Sequence, residues 1–260
     1  ISSLLSDEIL RAARTHRPTM FLGVPRLYEL FHTKITAQVN KHAASRMLFA
    51  LSKKLRCMPV SRIMFGRIQS AFGGKIHAYL AGGAAFDRVI ADDLRALGFN
   101  LVEGYGLTET SPLVAFNRFG KVRSGSVGQS LDGIDVKIED GEILVKGPNV
   151  MKGYWNRPEE TAAVLRDGWF HTGDLGFMDK KRYLTLTGRK KELIILANGK
   201  NVRPDLIEQK IRESYPLVED IAVTHREGHL AAIIKPDMVE AKRQGVTNLV
   251  ETLKWKVIDL

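Results

Sequence analysis

The sequence lacks the features that mark several classes of protein. Its 260 residues include one cysteine, Cys57, so no disulfide can form within the chain. No apolar run approaches the ~20 residues of a membrane-spanning helix, and no apolar leader with a cleavage site opens the chain. Hydrophobic residues make up 44% and charged residues 26%, as in ordinary globular proteins. We therefore expect a cytoplasmic globular protein whose only membrane contact would be at the bilayer surface.

Acidic residues are scarce in the first 75 residues. That stretch holds 13 Lys and Arg but only Asp7, Glu8 and Glu29, a net charge of +10, whereas the other 185 residues balance at 26 basic and 26 acidic. A basic stretch of this kind predicts an anionic partner such as nucleic acid, lipid headgroups or a polyphosphate ligand. A solvated face compensated by another part of the protein is the alternative. Aromatic residues are sparse among these cations, which argues against nucleic acid.

The pattern along the chain predicts an α/β fold in three parts. Residues 1–124 alternate helices with short apolar strands, which is typical of a parallel sheet. Residues 125–190 are short alternating runs between Gly and Asp turns, which favour a small antiparallel β-barrel. Residues 191–260 predict the start of a small α+β domain.

The sequence pattern also predicts the individual helices and strands. In the first part these are a helix from Ser6 to before Pro18, a strand over 19–23, helices over 25–40, 43–55 and 61–72, a strand over 76–81, a helix over 86–97 and a strand over 101–103. In the second part they are strands over 135–139, 142–146 and 183–187 and a helix over 158–165. In the third part they are a hairpin at Asn198-Gly199, a helix over 204–214, strands over 221–224 and 230–234, and a last helix from Asp237 to the end.

The segment after the predicted strand 101–103 carries the most informative chemistry. It reads Glu103-Gly104-Tyr105-Gly106-Leu107-Thr108-Glu109-Thr110-Ser111-Pro112, and loops at the carboxyl ends of parallel strands build ligand sites. Its glycines let a ligand approach the backbone, and Tyr105 offers a stacking face. The Thr108 hydroxyl and the Glu109 carboxylate could hold a phosphate and its Mg²⁺. On this segment alone, a tight turn with a capping threonine and a solvated glutamate is the simpler interpretation.

Two later segments favour a ligand site over a simple turn. His171-Thr172-Gly173-Asp174-Leu175-Gly176 sets one carboxylate between glycines, which suits a bidentate contact with ribose hydroxyls. Gly188-Arg189-Lys190-Lys191-Glu192 places cations just beyond the predicted barrel, where a guanidinium can reach sugar or phosphate oxygens. The histidines have no metal-ligand spacing, and we interpret His171 as packed or solvated. Taken together, the segments predict a nucleotide site.

With Ala81-Gly82-Gly83-Ala84 and Gly153-Tyr154-Trp155 added, the chain resembles the adenylate-forming family of acyl-CoA synthetases, peptide-synthetase adenylation domains and luciferases. The matching segments follow the family order over essentially the whole chain. Three features resemble its long-chain fatty acyl-CoA synthetase branch: the segment Val24-Pro25-Arg26-Leu27-Tyr28-Glu29, the basic insertion to Phe72, and Lys190-Lys191-Glu192-Leu193-Ile194.

The resemblance implies a role for each matched residue. Thr108 would contact the α-phosphate, Glu109 would ligate Mg²⁺, and Asp174 would bind the ribose with help from Arg189. Lys191 falls at the family's hinge between a large domain, residues 1–190 here, and a small mobile one. The loop 197–201 would approach the CoA arm. The residues implied for cofactor binding are Gly82, Gly83, Ala84, Gly104 and Tyr105 at the adenine pocket, with Gly106, Thr108, Asp174, Arg189 and Gly199.

The reaction that the resemblance implies has two halves. A fatty-acid carboxylate reacts with ATP to give acyl-adenylate, and the CoA thiol then displaces AMP. Transfer to acyl carrier protein, or a non-catalytic membrane-surface module built on residues 1–75, are the alternatives. The family's phosphate loop would precede Ile1 and its catalytic lysine would follow Leu260. We therefore expect an internal part of a longer enzyme that does not catalyse adenylation alone and does not bind nucleic acid; acyl chain length and oligomeric state stay open.

Overall fold

The protein is described by a computed structural model that covers residues 2–84, 86–195, 201–226, 229–248 and 251. The chain forms two compact units, Ile1–Thr187 and Gly188–Leu260. The division lies three residues before the domain boundary predicted after residue 190. Among the helices in the described ranges, none combines the length and apolar character needed to cross a bilayer.

A five-stranded sheet lies at the centre of the first unit. Its strands are β1 (Met20–Gly23), β2 (Ala78–Ala81), β3 (Leu101–Tyr105), β4 (Ala115–Phe116) and β5 (Gln129–Ser130), in that spatial order. Strands β1, β2 and β3 pair in parallel, whereas β4 pairs antiparallel with β3 and β5 pairs antiparallel with β4. The parallel sheet predicted from the sequence is thereby confirmed, and it brings the loops after β2 and β3 to the same edge.

Helices cover this sheet and bury an aromatic core. They are α1 (Ser2–His16), α2 (Pro25–Val39), α3 (Ala43–Leu55), α4 (Met58–Met64), α5 (Gly66–Ala71) and α6 (Arg88–Ala96). Phe72 makes edge-to-face contacts with Phe31 at 5.0 Å and with Phe99 at 5.3 Å between ring centroids. Tyr28 and Tyr79 are fully buried in the same cluster. Such ring pairs contribute about 1 kcal/mol each beyond their buried area.

Several predicted boundaries in this region are wrong. The helix expected over 61–72 is two helices, because the backbone leaves the helical conformation at Phe65, whose ring is buried and packs edge-on against Phe49 at 6.3 Å. The helix expected from Phe86 begins at Arg88, since the Asp87 side chain caps it by accepting from the Ile90 N–H at 3.0 Å.

A second sheet packs beside the first. Its strands are β6 (Asp135–Glu139), β7 (Glu142–Lys146), β8 (Leu165–Arg166), β9 (Trp169–Met178) and β10 (Leu184–Arg189), and α7 (Pro158–Val164) precedes β8. The order is β10-β9-β7-β6, with β8 paired to β9. The two sheets share a core, because Tyr105, Val114 and Ala115 pack in one cluster with residues of the second sheet.

The predicted β-barrel is corrected to an open sheet. Among the strands of the described residues, the path from β10 to β6 does not close into a ring. The four strands of this path, with the two-residue strand β8 paired to β9, are fewer than the roughly eight strands that usually enclose a barrel interior filled by side chains.

The second unit is a small α+β arrangement. It contains β11 (Ile194–Ile195) paired antiparallel with β12 (Asn201–Val202), α8 (Pro204–Ser214), β13 (Val218–Arg226), β14 (His229–Pro236) and α9 (Met238–Arg243). The predicted hairpin turn at Asn198-Gly199 lies outside the described residues. The last helix was expected to run on from Asp237, but it ends at Arg243, and Gly245 follows with a φ of +66°.

Candidate functional site

The chain turns sharply at the end of β3. A Cβ at Gly106 would lie 1.8 Å from the Pro112 carbonyl oxygen, so only glycine fits there. The turn is closed by the Leu107 N–H, which donates to the Thr110 hydroxyl at 2.9 Å. Thr108 and Glu109 lie in the 3-10 turn Thr108–Thr110, with Thr108 exposed and Glu109 half-buried. This geometry brings both residues to the carboxyl edge of the sheet.

Asp174 is held against β3 by Tyr105. The Tyr105 hydroxyl donates to Asp174 Oδ2 at 2.8 Å, and each residue is 5% exposed. The Asp174 N–H donates to the Thr172 hydroxyl at 3.0 Å, which in turn donates to the Ile143 carbonyl at 2.7 Å. The ring of Tyr105 lies in the core shared by the two sheets. The structure thus brings two predicted site residues together through a contact that the sequence did not predict.

A second carboxylate braces the loop that carries Asp174. Glu142 is 7% exposed, and its Oε1 accepts from the Gly173 N–H at 3.0 Å. Its Oε2 lies 3.7 Å from His171 Nδ1. His171 is partly buried, and of the two interpretations that the sequence left open, packed or solvated, this matches the first. Glu142 was not a predicted site residue, because its pattern is that of an ordinary strand start.

Glu109 is located by Tyr154. The Tyr154 hydroxyl donates to Glu109 Oε1 at 2.8 Å. Thr161 of α7 anchors Tyr154 in turn, because the Tyr154 N–H donates to the Thr161 hydroxyl at 2.9 Å. Burial and the bond to Glu109 raise the pKa of the Tyr154 phenol. The segment Gly153-Tyr154-Trp155, for which the sequence predicted no role, thus holds the predicted metal ligand in place through Tyr154.

The donor chemistry at Glu109 fits Mg²⁺. Among the described residues, Oε2 of Glu109 has no hydrogen-bond partner, so one carboxylate oxygen can face a cation. Among all the residues that the structure describes, no three or more His, Cys, Asp or Glu side chains lie close enough together to hold a metal ion. Mg²⁺ is commonly bound by one or two carboxylates together with substrate phosphates and waters. A single glutamate is therefore compatible with a metal that arrives with a nucleotide.

The residues predicted at an adenine pocket lie close together. Ala84 and Gly104 line one small cavity with Gly125 and Ser126. Gly82 lies beside β3, since a Cβ there would be 3.4 Å from the Gly104 carbonyl oxygen. Gly83 has a φ of +85°, a conformation that favours glycine. The loop after β2 and the end of β3 thus form one concave surface.

A buried ion pair supports β3 beneath this surface. Arg95 Nη2 lies 2.7 Å from Glu103 Oε1, and the Glu103 side chain is 7% exposed. Burial raises the pKa of the Glu103 carboxyl, and Arg95 opposes that rise. Arg95 also donates to the Leu101 carbonyl at 3.0 Å. The pair fixes the strand that ends in the site.

The remaining predicted residues belong to the second unit. Arg189 ends β10, and Lys191 is exposed in the 3-10 turn Lys190–Glu192. Gly199 lies outside the described residues.

Two curated ligases are similar to the chain in sequence. A long-chain-fatty-acid–CoA ligase, FadD15, of Mycobacterium bovis is 36% identical over 228 residues, which cover 80% of this chain and 38% of the relative. A long-chain-fatty-acid–CoA ligase of Bacillus subtilis is 33% identical over 249 residues, which cover 90% of this chain and 39% of the relative. The chain thus spans less than half the length of either relative.

A solved structure shares the fold. O-succinylbenzoate coenzyme A synthetase from Bacillus subtilis, in complex with ATP and a magnesium ion, matches with a TM-score of 0.63 and 27% identity over 88% of this chain and 44% of that one. The model of the AMP-binding enzyme family matches residues 2–155, more than half of the chain. On its sequence, its fold and the arrangement around β3, the chain belongs to the AMP-binding enzyme family.

Proposed function

We propose that these residues form the nucleotide-binding part of a ligase that activates a fatty-acid carboxylate with ATP and passes the acyl group to the thiol of CoA. The observation that carries the proposal is the pair of carboxylates, Asp174 and Glu109, each held by a tyrosine hydroxyl beside the end of β3. The names of the two relatives support a long-chain acid and CoA as the other substrates.

Each carboxylate has a distinct task in this proposal. Asp174 accepts hydrogen bonds from the ribose hydroxyls, assisted by Arg189, while the surface between Ala84 and Gly104 receives the adenine. Thr108 donates its hydroxyl to the α-phosphate. Glu109 holds Mg²⁺, which when bound offsets the negative charge that develops on the phosphate oxygens.

The reaction balances without any oxidant or reductant. A carboxylate oxygen of the fatty acid attacks the α-phosphorus of ATP, the bond to the β-phosphate oxygen breaks, and pyrophosphate leaves. The sulfur of CoA then attacks the acyl carbon, AMP leaves, and the thiol proton passes to solvent. We assign Lys191 as the hinge about which the second unit turns between the two steps, and the loop 197–201 as the approach to CoA. Acyl carrier protein, which presents the same phosphopantetheine thiol, is the alternative acceptor.

The test uses the complete protein that contains these residues. We expect fatty-acid-dependent exchange of pyrophosphate into ATP, and acyl thioester formation with CoA in preference to acyl carrier protein. Glu109→Gln should lower the exchange rate about a hundredfold, because the carboxylate is a metal ligand. Tyr154→Phe should raise the Mg²⁺ concentration needed for half-maximal rate about tenfold, because it frees the carboxylate to rotate.

The matched control is Glu159→Gln, which removes an exposed carboxylate in the first turn of α7. It should leave both activities unchanged. Exchange at the parental rate in Glu109→Gln would contradict the metal assignment, and absence of exchange with every fatty acid would contradict the proposed reaction.

A further inference from the structure

The helix α3 is exposed along most of its length. Met47 is 74% exposed, and Leu48, Leu51 and Leu55 are each exposed by two-fifths or more. At about 100° of rotation per residue, these four side chains fall within an arc of about 100° on one side of the helix. We call this set the apolar face of α3.

The opposite side of α3 attaches it to the protein. Ser52 is fully buried and donates its hydroxyl to the Ala96 carbonyl at 2.6 Å. Phe49 packs edge-on against Phe65, and Lys53 Nζ lies 2.5 Å from Asp93 Oδ1. The apolar face is therefore not the side through which α3 contacts α6.

An apolar groove adjoins this face. Leu48 lines it together with Phe31, Ile35 and Phe72, and its volume is about 480 Å³. Lys34 and Arg67 line the same groove, and Lys34 is paired with Asp7 at 3.3 Å. The exposed apolar surface thus continues from α3 into a cleft that is bordered by Arg67.

The surroundings of the apolar face are strongly basic. Residues 30–86 contain nine Lys and Arg and no Asp or Glu. Within the part of the chain that the structure describes, no carboxylate lies at ion-pair distance from Lys54, Arg56 or Arg67. Asp93 offsets the charge of Lys53, whereas Lys54, Arg56 and Arg67 keep theirs, so the surroundings of α3 carry excess positive charge.

We propose that the apolar face of α3 and its flanking cations dock on a bilayer surface that contains anionic phospholipid. A helix that combines an exposed apolar stripe with lysine and arginine inserts shallowly at such a surface, with the cations attracted to the headgroups. Nucleic acid or an acidic protein would match the cations but leave the apolar face in water. This surface is separate from the nucleotide site and independent of the proposed reaction.

The first experiment measures flotation of the 260-residue chain with phospholipid vesicles. Vesicles of phosphatidylcholine and phosphatidylglycerol in equal amounts should carry the chain to the top of the gradient, and vesicles of phosphatidylcholine alone should carry little of it. Raising the salt to about 1 M, where charges more than ~3 Å apart are screened, should weaken flotation several-fold without abolishing it. Equal binding to both vesicle types, or no binding to either, would overturn the proposal.

Variants separate the apolar from the electrostatic contribution. Met47→Ser with Leu51→Ser should weaken binding at least tenfold. Lys54→Gln with Arg67→Gln should weaken it about twenty-five-fold, on the basis of about fivefold for each cation near the surface. The matched controls are Val89→Ser with Phe177→Ser and Lys152→Gln with Lys180→Gln, which alter exposed residues elsewhere. Circular dichroism checks that each variant is folded, and equal losses in the control pairs would overturn the assignment to α3.

Cys57 reports whether α3 itself reaches the lipid. It is the one cysteine of the chain, is exposed, and lies two residues after Leu55. A polarity-sensitive fluorophore attached there should shift to the blue on addition of anionic vesicles. Flotation with no shift would overturn the proposal. So would vesicle binding by this chain that is lost in the complete protein, because the face would then be covered by another part of that protein.

Discussion

Removing one hydroxyl group from Tyr105 tests the architecture of the candidate site. In Tyr105→Phe the ring stays in its core, while Asp174 loses the donor that lies 2.8 Å from its Oδ2. Both residues are 5% exposed, so bulk water does not fill the place of the hydroxyl at Oδ2, the carboxylate oxygen that faces the core. A hydrogen bond from a neutral donor to a buried carboxylate contributes about 1.5–3 kcal/mol. We therefore expect the free energy of unfolding to fall by about 2 kcal/mol.

Urea unfolding of the 260-residue chain, followed by circular dichroism and by tryptophan fluorescence, measures this loss. The midpoint should fall while the slope stays constant, because the surface exposed on unfolding hardly changes. The matched control is Tyr183→Phe, whose exposed hydroxyl donates to the Lys121 carbonyl at 3.3 Å. It should change stability by less than about 0.5 kcal/mol.

A double-mutant cycle with Asp174→Asn isolates the contact between the two side chains. Residues that share a buried hydrogen bond show a coupling of about 0.5–3 kcal/mol. If the effects of Tyr105→Phe and Asp174→Asn on the free energy of unfolding simply add, the reasoning is refuted, because the hydroxyl and the carboxylate would then contribute independently.

Two further changes test the backbone turn and the buried ion pair. Gly106→Ala should destabilise the chain by about 3 kcal/mol or more, because its Cβ would overlap the Pro112 carbonyl; Gly66→Ala, which meets no atom within 4 Å, should be neutral or slightly stabilising, and equal urea midpoints for the two variants would contradict this. Burial raises the pKa of Glu103 above its ordinary value of 4.5 despite Arg95, so the folded state holds the proton more tightly and stability should fall as pH rises through that window. As the pH rises from about 4 to about 7, the free energy of unfolding of the parent should therefore fall relative to that of Glu103→Gln. A difference between the two that stays constant over this range would contradict the raised pKa.

Local signals were sufficient for much of the fold. Proline at the first helical position predicted the starts of α2 and α8, and the bounds of α3 agree with the prediction. The break at Phe65 depends on packing against Phe49, which local propensity does not contain. The closure of the second sheet likewise depends on strand number and pairing, so the sequence pattern indicated antiparallel strands but not an open sheet.

The sequence singled out individual residues of the candidate site but none of the contacts between them. Glycine spacing and residue chemistry singled out Asp174 and Glu109, because carboxylates between turns are chemically distinctive. The tyrosines that hold them lie 69 and 45 positions away along the chain. Only the fold brings such pairs together, and a single sequence contains no periodicity that links them.

The two tyrosine bonds have a consequence for how a nucleotide would be received. Thr161 locates Tyr154, and Tyr154 locates Glu109, so a helix attached to the second sheet sets the position of a carboxylate at the edge of the first. The bond from Tyr105 joins the same two sheets through Asp174. The packing between the sheets therefore orders both carboxylates in advance. The conformational entropy of their side chains is lost when the protein folds, so binding a nucleotide does not have to offset that loss. By linkage, a nucleotide that engages both would stabilise the contact between the sheets by an amount that grows with the logarithm of its concentration divided by its Kd.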